Sequence, residues 1–278
     1  MTSDTVVASE ALAANRAVGR VALSIVAAGG SSRRARVHEA GALRVRFPNA
    51  ATAGALDAVI VNTAGGMTGG DRFRIAVAVG ADARLCVTTA AAEKIYRSLG
   101  PDTDIALKLE VGPGAVLAWL PQETILFDRA RLRRTIDIDL APAARLILAE
   151  AVVFGRSAMG ECVTEGRVFD RWRVRVGGML RFAETLRLVG TIARSLGERA
   201  IAAGGVAVAT VLKIPGDDCD VAAVRAMHDN FVGEVGASAW NGLAAIRLVA
   251  RGGAALRHDT VDVLTALGAE PLPRLWGN

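Results

Sequence analysis

One carboxylate stands out by its surroundings. Glu150 sits inside Leu146-Ile147-Leu148-Ala149-Glu150-Ala151-Val152-Val153-Phe154, an otherwise apolar run. An acid enclosed there faces desolvation, so it must be paired, hydrogen-bonded or face a wet cavity. Gly155-Arg156 and Gly160-Glu161 follow at once and make an arginine–glutamate pair available. Glu184, in Leu180-Arg181-Phe182-Ala183-Glu184-Thr185-Leu186, is a similar acid further on. Two more groups of polar residues lie between apolar runs: Glu93, Lys94, Tyr96 and Arg97 together, and Gln122 with Glu123 in Leu120-Pro121-Gln122-Glu123-Thr124-Ile125.

The segment Asn62–Asp71 is the most unusual. Gly65, Gly66, Gly69 and Gly70 allow positive φ and close backbone approach. The segment lacks the Lys-Ser/Thr ending of a phosphate-binding loop, and the strand-like Arg72–Val77 follows instead of a helix. It reads as a tight connection that fixes Asp71. His38, His228 and His258 have no metal-ligand spacing, and no GxSxG, HExxH or Cys/His cluster occurs. What remains is a set of carboxylates at strand-to-loop junctions. Such oxygen donors suit transient contact with a divalent cation better than tight storage at soft ligands.

The elements that must position these acids are mainly strands. Val21–Ala28 and Ala42–Phe47 read as strands separated by Gly29-Gly30-Ser31-Ser32. Four segments then share a pattern of strand end, small-residue turn and new apolar strand: Ala78–Val87, Glu110–Trp119, Asp139–Leu148 and Arg175–Phe182. Their starts are 32, 29 and 36 residues apart, and a looser fifth copy, His38–Phe47, precedes them. Units this short cannot bury a face alone, so stacking is the physical answer. We read a stacked-strand, helical β-solenoid-like body over about 18–200, with two packed sheets as the other arrangement. From 201 to 278 a small α/β element follows. It has strands at Val206–Ile214 and Leu243–Val249, a helix over Asp220–Val232 that Asp217-Asp218 starts, and a second helix through Leu256–Leu267. Residues 1–17 read as a flexible leader and 18–278 as a single domain.

Composition narrows the function. The 278 residues are 52% hydrophobic and 22% charged, which excludes a disordered chain. Lys94, Lys108 and Lys213 are the lysines among 33 Lys and Arg, so the net charge of +5 is carried by arginine. The arginines are scattered and not interleaved with aromatics, so nucleic acid is not expected as a partner. Their excess reflects either a general preference for arginine or an acidic protein partner. Cys86, Cys162 and Cys219 give no disulfide framework and are expected to be reduced and mostly buried. No apolar stretch is long enough to span a bilayer, and the start does not resemble a signal peptide. A cytoplasmic protein with no membrane association is expected.

Taken in order, the motifs resemble the urease accessory proteins of the UreD/UreH type. The matching pieces are Gly65-Gly66-Met67-Thr68-Gly69-Gly70-Asp71; Thr88-Thr89 with Lys94-Ile95-Tyr96-Arg97-Ser98; and Leu120–Ile125. Leu148-Ala149-Glu150 with Gly155-Arg156 and Gly160-Glu161, and the tail Leu272-Pro273-Arg274-Leu275-Trp276, complete them. The resemblance implies a largely β fold with two helices and a maturation factor that is not an enzyme. It implies binding to the urease structural subunits and to UreF, which recruits the GTPase UreG. It also implies Ni²⁺ in transit to the urease dinickel site through an internal polar passage, with no tightly bound cofactor. By motif position the passage candidates are Asp71, Glu93, Lys94, Glu150 and Glu184. Asn62 stands where many members have His, Ala90 where Pro is common, and Glu93 where Ser or Thr is usual, so Glu93 adds a carboxylate. Two other readings remain: a β-solenoid carbohydrate-active enzyme using a carboxylate pair such as Glu150 and Glu184, and a plain structural protein with salt-bridged acids.

Overall fold

The structure, a computed structural model, describes residues 16–49, 53–156, 159–269 and 271–277. Residues 1–15 of the expected leader lie outside the described residues. The described chain enters with a hairpin, β1 (Val18–Ala28) and β2 (Ser31–Gly41), then β3 (Leu43–Arg46) and β4 (Leu56–Asn62). Coils follow: β5 (Arg72–Val79), β6 (Arg84–Thr89) and β7 (Glu93–Ile95); β8 (Thr103–Val111), β9 (Val116–Trp119) and β10 (Thr124–Leu126); β11 (Arg131–Leu140) and β12 (Arg145–Phe154). The body closes with β13 (Gly166–Val176), β14 (Met179–Gly190) and the short helix α1 (Ile192–Gly197). The last part is β15 (Ala207–Ile214), α2 (Asp218–Arg225), β16 (Glu234–Trp240), β17 (Leu243–Ala250) and α3 (Gly253–Ala266).

Each coil places one strand in a front sheet and the next in a back sheet. The front sheet runs β14-β13-β11-β8-β5-β1-β2, and the back sheet β16-β17-β15-β12-β9-β6-β4-β3. From β1 through β5, β8 and β11 to β13 the front ladder is parallel, as is the back ladder from β4 to β12. Short strands β7 and β10 pair with each other, and β10 with the end of β12, to form a third side. The solenoid-like stack expected from the sequence is therefore present.

The repeat offsets are the ladder register itself. Ala78 pairs with Glu110, Glu110 with Asp139, and Asp139 with Arg175. One residue along, every inward position is apolar: Leu23, Val77, Leu109, Ile138 and Val174 form a ladder buried to 3% exposure or less. A one-residue slip would turn all five outward, at about 1.5–3 kcal/mol each. Two copies depart from the rest. Arg175–Phe182 turns back within the front sheet as the β13–β14 hairpin. His38–Phe47 crosses between sheets, but β2 and β3 run antiparallel to β1 and β4, so it is not a coil of the parallel stack.

In the C-terminal part, β15 and β17 extend the back sheet by antiparallel pairing, while α2 and α3 cover its outer face. Strand β12 is thus enclosed on both sides, which explains its near-continuous apolar run. Helix α2 ends at Arg225, shorter than the expected Asp220–Val232; Met227 and Phe231 lie in the turn that follows. Its start is as expected, with Asp217 and Asp220 forming a capping box. Strands β2, β4, β7, β10 and β16 and the helix α1 are additional to the expected elements. The thiols also differ: Cys162 and Cys219 are exposed, and only Cys86 is largely enclosed, with burial and Asp57 pushing it up to about 12.

Candidate functional site

Even-numbered residues of β12 face the space between the sheets, so Glu150 enters the same core as Leu146 and Leu148. Across that space β11 alternates in the same way: Leu132, Arg134, Ile136 and Ile138 point inward. Arg134 reaches Glu150 with Nη1, while its Nε and Nη2 donate to Asp170 of β13 at 3.0 and 2.6 Å. The indole Nε1 of Trp119 donates to the other Glu150 oxygen at 2.8 Å. Arg134, Glu150 and Asp170 are 5%, 7% and 4% exposed, so one guanidinium holds two enclosed carboxylates. Burial pushes Glu150 above the usual carboxylate range against the pull of Arg134 and Trp119. The two acids push Arg134 further up, against its own desolvation.

This cluster separates two cavities between the sheets. The larger, about 220 Å³, is lined by Asn62, Glu93, Gln122, Thr124, Arg134 and Glu150 among others, and reaches Gly65, Gly66 and Lys94. The smaller, about 30 Å³, lies against Arg134, Glu150, Asp170, Trp172 and Glu184. Arg134 and Glu150 line both. At the far end Arg247 of β17 pairs with Glu184 of β14, a contact between the back and front sheets.

Glu93 is the other unusual acid. The Asn62 amide donates to its two oxygens at 2.9 and 3.1 Å. Desolvation dominates nonetheless, and with the charge of Asp71 nearby it raises Glu93 to about 7. Asn62, from the end of β4, is therefore the side-chain partner of Glu93 at the start of β7.

The remaining expected residues serve different ends. Asp71 is outside both cavity walls; its carboxylate accepts the backbone N–H of Ala17 and of Thr68, each at 2.8 Å, and so ties the Gly-rich connection to the start of β1. In that connection Met67 is fully buried and exchanges backbone bonds with Lys94 and Tyr96. Gly66 is at φ +144°, with room for no Cβ beside the Tyr96 ring, and a Cβ on Gly69 would meet Ser98 and the Pro101 carbonyl. Gly65 and Gly70 also have positive φ. Tyr96 donates its hydroxyl to the Gly65 carbonyl, and Arg97 offers its carbonyl to Thr68.

Gln122 and Glu123 form a clamp. Arg257 of α3 donates to Gln122 Oε1 at 2.6 Å, to Glu123 Oε1 at 2.9 Å and to the Leu275 carbonyl at 2.9 Å, with its guanidinium over the Trp276 ring. The expected Arg156–Glu161 pair forms at 2.7 Å, with Arg156 over Phe127. Among the described residues no group of three or more His, Cys, Asp or Glu is arranged to hold a metal ion.

Sequence reasoning missed Arg134, Asp170 and Trp119. The available signal was parity: Arg134 shares the inward alternation of Leu132 and Ile136, and Asp170 that of Val168 and Trp172.

Residues 17–277 match the family described as UreD urease accessory protein. The "Urease accessory protein UreD" of Rhodopseudomonas palustris strain CGA009 is 55% identical over 99% of both chains. The protein of the same name from Bradyrhizobium diazoefficiens is 51% identical over the full length of both. "Urease accessory protein UreD 3" of Bradyrhizobium sp. strain BTAi1 is 51% identical over 98% of this chain and 97% of its own. The chain belongs to the UreD urease accessory protein family.

Proposed function

We propose that, as a member of the UreD family, the chain is a scaffold for urease maturation in the cytoplasm, with no reaction of its own. In this reading it binds the urease structural subunits and UreF, which recruits UreG. Ni²⁺, as cargo, crosses the interlayer space from the Glu93 side past Glu150 to Glu184. The observation that supports the passage is the shared wall: Arg134 and Glu150 line both cavities, with Glu93 and Gln122 on one side and Asp170 and Glu184 on the other. Carboxylates and amides with no fixed multidentate arrangement favour transient contact over storage.

A glycosidase fits less well. Glu150 is enclosed and already bonded to Arg134 and Trp119, whereas paired carboxyls that cleave sugars must meet substrate in an open cleft.

The test co-expresses the full chain with apo-urease, UreF and UreG. Scaffold function is measured by co-purification, and delivery by nickel content and urease activity. Glu150→Gln and Glu184→Gln should keep the complex together and lower nickel loading. Full loading by both variants removes the passage and leaves the scaffold; failure of the native chain to co-purify with UreF or urease removes both.

A further inference from the structure

The helices cover the outer face of the back sheet, and the front sheet turns its outer face to solvent. That face is rich in arginine. On β13, Arg167, Arg171, Arg173 and Arg175 all occupy outward positions. At the other end of the sheet the face is concave. A groove of about 470 Å³ lies over β2, β1, β5 and β8.

The ladder register gives its cross-section. In one row Arg36 of β2 stands beside Ser24, Ala78 and Glu110; in the next His38 stands beside Ala22, Ala76 and Lys108. The floor on β1 and β5 is therefore Ala22, Ser24, Ala76 and Ala78, and the banks are Arg36 and His38 on one side and Lys108 and Glu110 on the other. Arg20 stands at one end of the groove. From bank to bank is three strand spacings, about 14 Å. Lys108 is paired to Glu110 at 2.5 Å. Among the described residues the side chains of Arg20 and Arg36 have no ion-pair or hydrogen-bond partner.

We propose that this groove docks a single extended acidic polypeptide segment of a partner protein, laid along β1 and β5. Small floor residues let a main chain approach the sheet. Side chains that alternate along an extended segment then reach both banks, where free guanidinium groups suit carboxylates in bidentate geometry. Glu110 repels a run of phosphates, whereas a peptide can meet it with a neutral or basic residue. The groove wall has no aromatic ring on which a base could stack, which single-stranded nucleic acid uses. This docking goes beyond the nickel passage and does not depend on it.

The experiment titrates the full chain against a fluorescent peptide of alternating Glu and Ser, at low and physiological salt. A single-stranded oligonucleotide of equal charge is run in parallel. Arg20→Ser/Arg36→Ser should weaken peptide binding about tenfold, while Arg173→Ser/Arg187→Ser, which removes equal charge outside the groove (Arg187 of β14 stands exposed beside the outward Phe169 of β13), changes it less than about threefold. Circular dichroism and the unfolding midpoint of both variants check that they are folded. Equal losses in the two variants would reduce the effect to net charge and overturn the groove. So would undetectable peptide binding by the native chain, or tighter binding of the oligonucleotide.

Discussion

Arg134 and Glu150 face each other from opposite sheets, 16 residues apart in sequence, and join in the middle of the core where the two interlayer cavities meet. Because Asp170 takes the rest of the guanidinium, removing Arg134 strands two buried acids. Arg134→Leu is expected to lower stability by about 3–5 kcal/mol, read from urea unfolding. Glu150→Gln keeps an acceptor for Trp119 and leaves Arg134 with Asp170, so its loss should be smaller. Combining Arg134→Leu with Glu150→Gln and Asp170→Asn should recover part of the loss, since no uncompensated charge then remains. A triple variant no better than Arg134→Leu alone would mean that packing, and not charge, sets the cost.

Glu93 gives a pH dependence of defined sign. Its folded pKa of about 7 lies above the ordinary carboxylate value of 4.5, so between those pH values the folded chain holds a proton that the unfolded chain has released. Stability from this group is fully present below about 4.5 and is lost as pH rises toward 7, by an amount on the order of 3 kcal/mol. Glu93→Gln stays neutral throughout. It should match the native chain near pH 5 and exceed it in urea unfolding at pH 8. An unchanged gap between the two proteins from pH 5 to 8 would place the Glu93 proton elsewhere.

What could be read from the chain follows from how each residue is buried. The offsets of 32, 29 and 36 were visible because each coil repeats the same small-residue corner, and the ladder then has to place equivalent inward side chains above one another. Strand β2 was hidden for the opposite reason. Except for Ser32 and the half-buried Glu39 it is exposed, so no alternation marks Arg33–His38 as a strand, and its pairing with β1 comes from the Gly29-Gly30 turn and the backbone. Glu150 announced itself because β12 is enclosed on both faces. Its partner did not, because Arg134 lies in a run with Arg131 and Arg133 that looks like one solvated cluster, although only Arg134 points inward. Asp71 looked like a passage residue by motif, yet its oxygens are spent on two backbone N–H groups, a use that sequence spacing does not distinguish from ligand contact.

The four glycines of the connection are not equivalent, and substitution should separate them. At Gly65 a Cβ meets nothing within 4 Å, so Gly65→Ala costs only the positive φ, about 1–2 kcal/mol. At Gly66 a Cβ would stand 2.4 Å from the Tyr96 ring, and at Gly69 it would stand 1.9 Å from Ser98 Oγ and 2.4 Å from the Pro101 carbonyl. Gly66→Ala and Gly69→Ala should each lower the thermal midpoint more than Gly65→Ala. Tyr96→Ala should relieve part of the Gly66→Ala defect, because that contact is mainly with the ring. Ser98→Gly should do little for Gly69→Ala, because the Pro101 backbone remains. Equal midpoints for all three alanine variants would show that the connection yields at little cost.

The Leu120–Ile125 segment and the Leu272–Trp276 tail, far apart in sequence, are one structural device. Trp276 is 7% exposed; its indole N–H donates to the Leu120 carbonyl at 2.9 Å, and Arg257 covers the ring while reaching Gln122, Glu123 and Leu275. The clamp holds α3 to the back sheet beside the backbone that forms one wall of the larger cavity, where Glu93 N–H donates to the Glu123 carbonyl. Trp276→Ala removes a buried ring and should lower stability by about 3–5 kcal/mol. Arg257→Lys keeps a positive charge but cannot donate to Gln122, Glu123 and Leu275 from one planar group, so it should release the tail with a smaller global loss. Hydrogen exchange distinguishes the two effects: in Arg257→Lys, amides of α3 and the tail should exchange faster while those of β8 and β11 keep their protection. Unchanged protection of α3 in that variant would assign the hold on the helix to its apolar contacts, Leu256, Val263 and Leu264, instead of to the clamp.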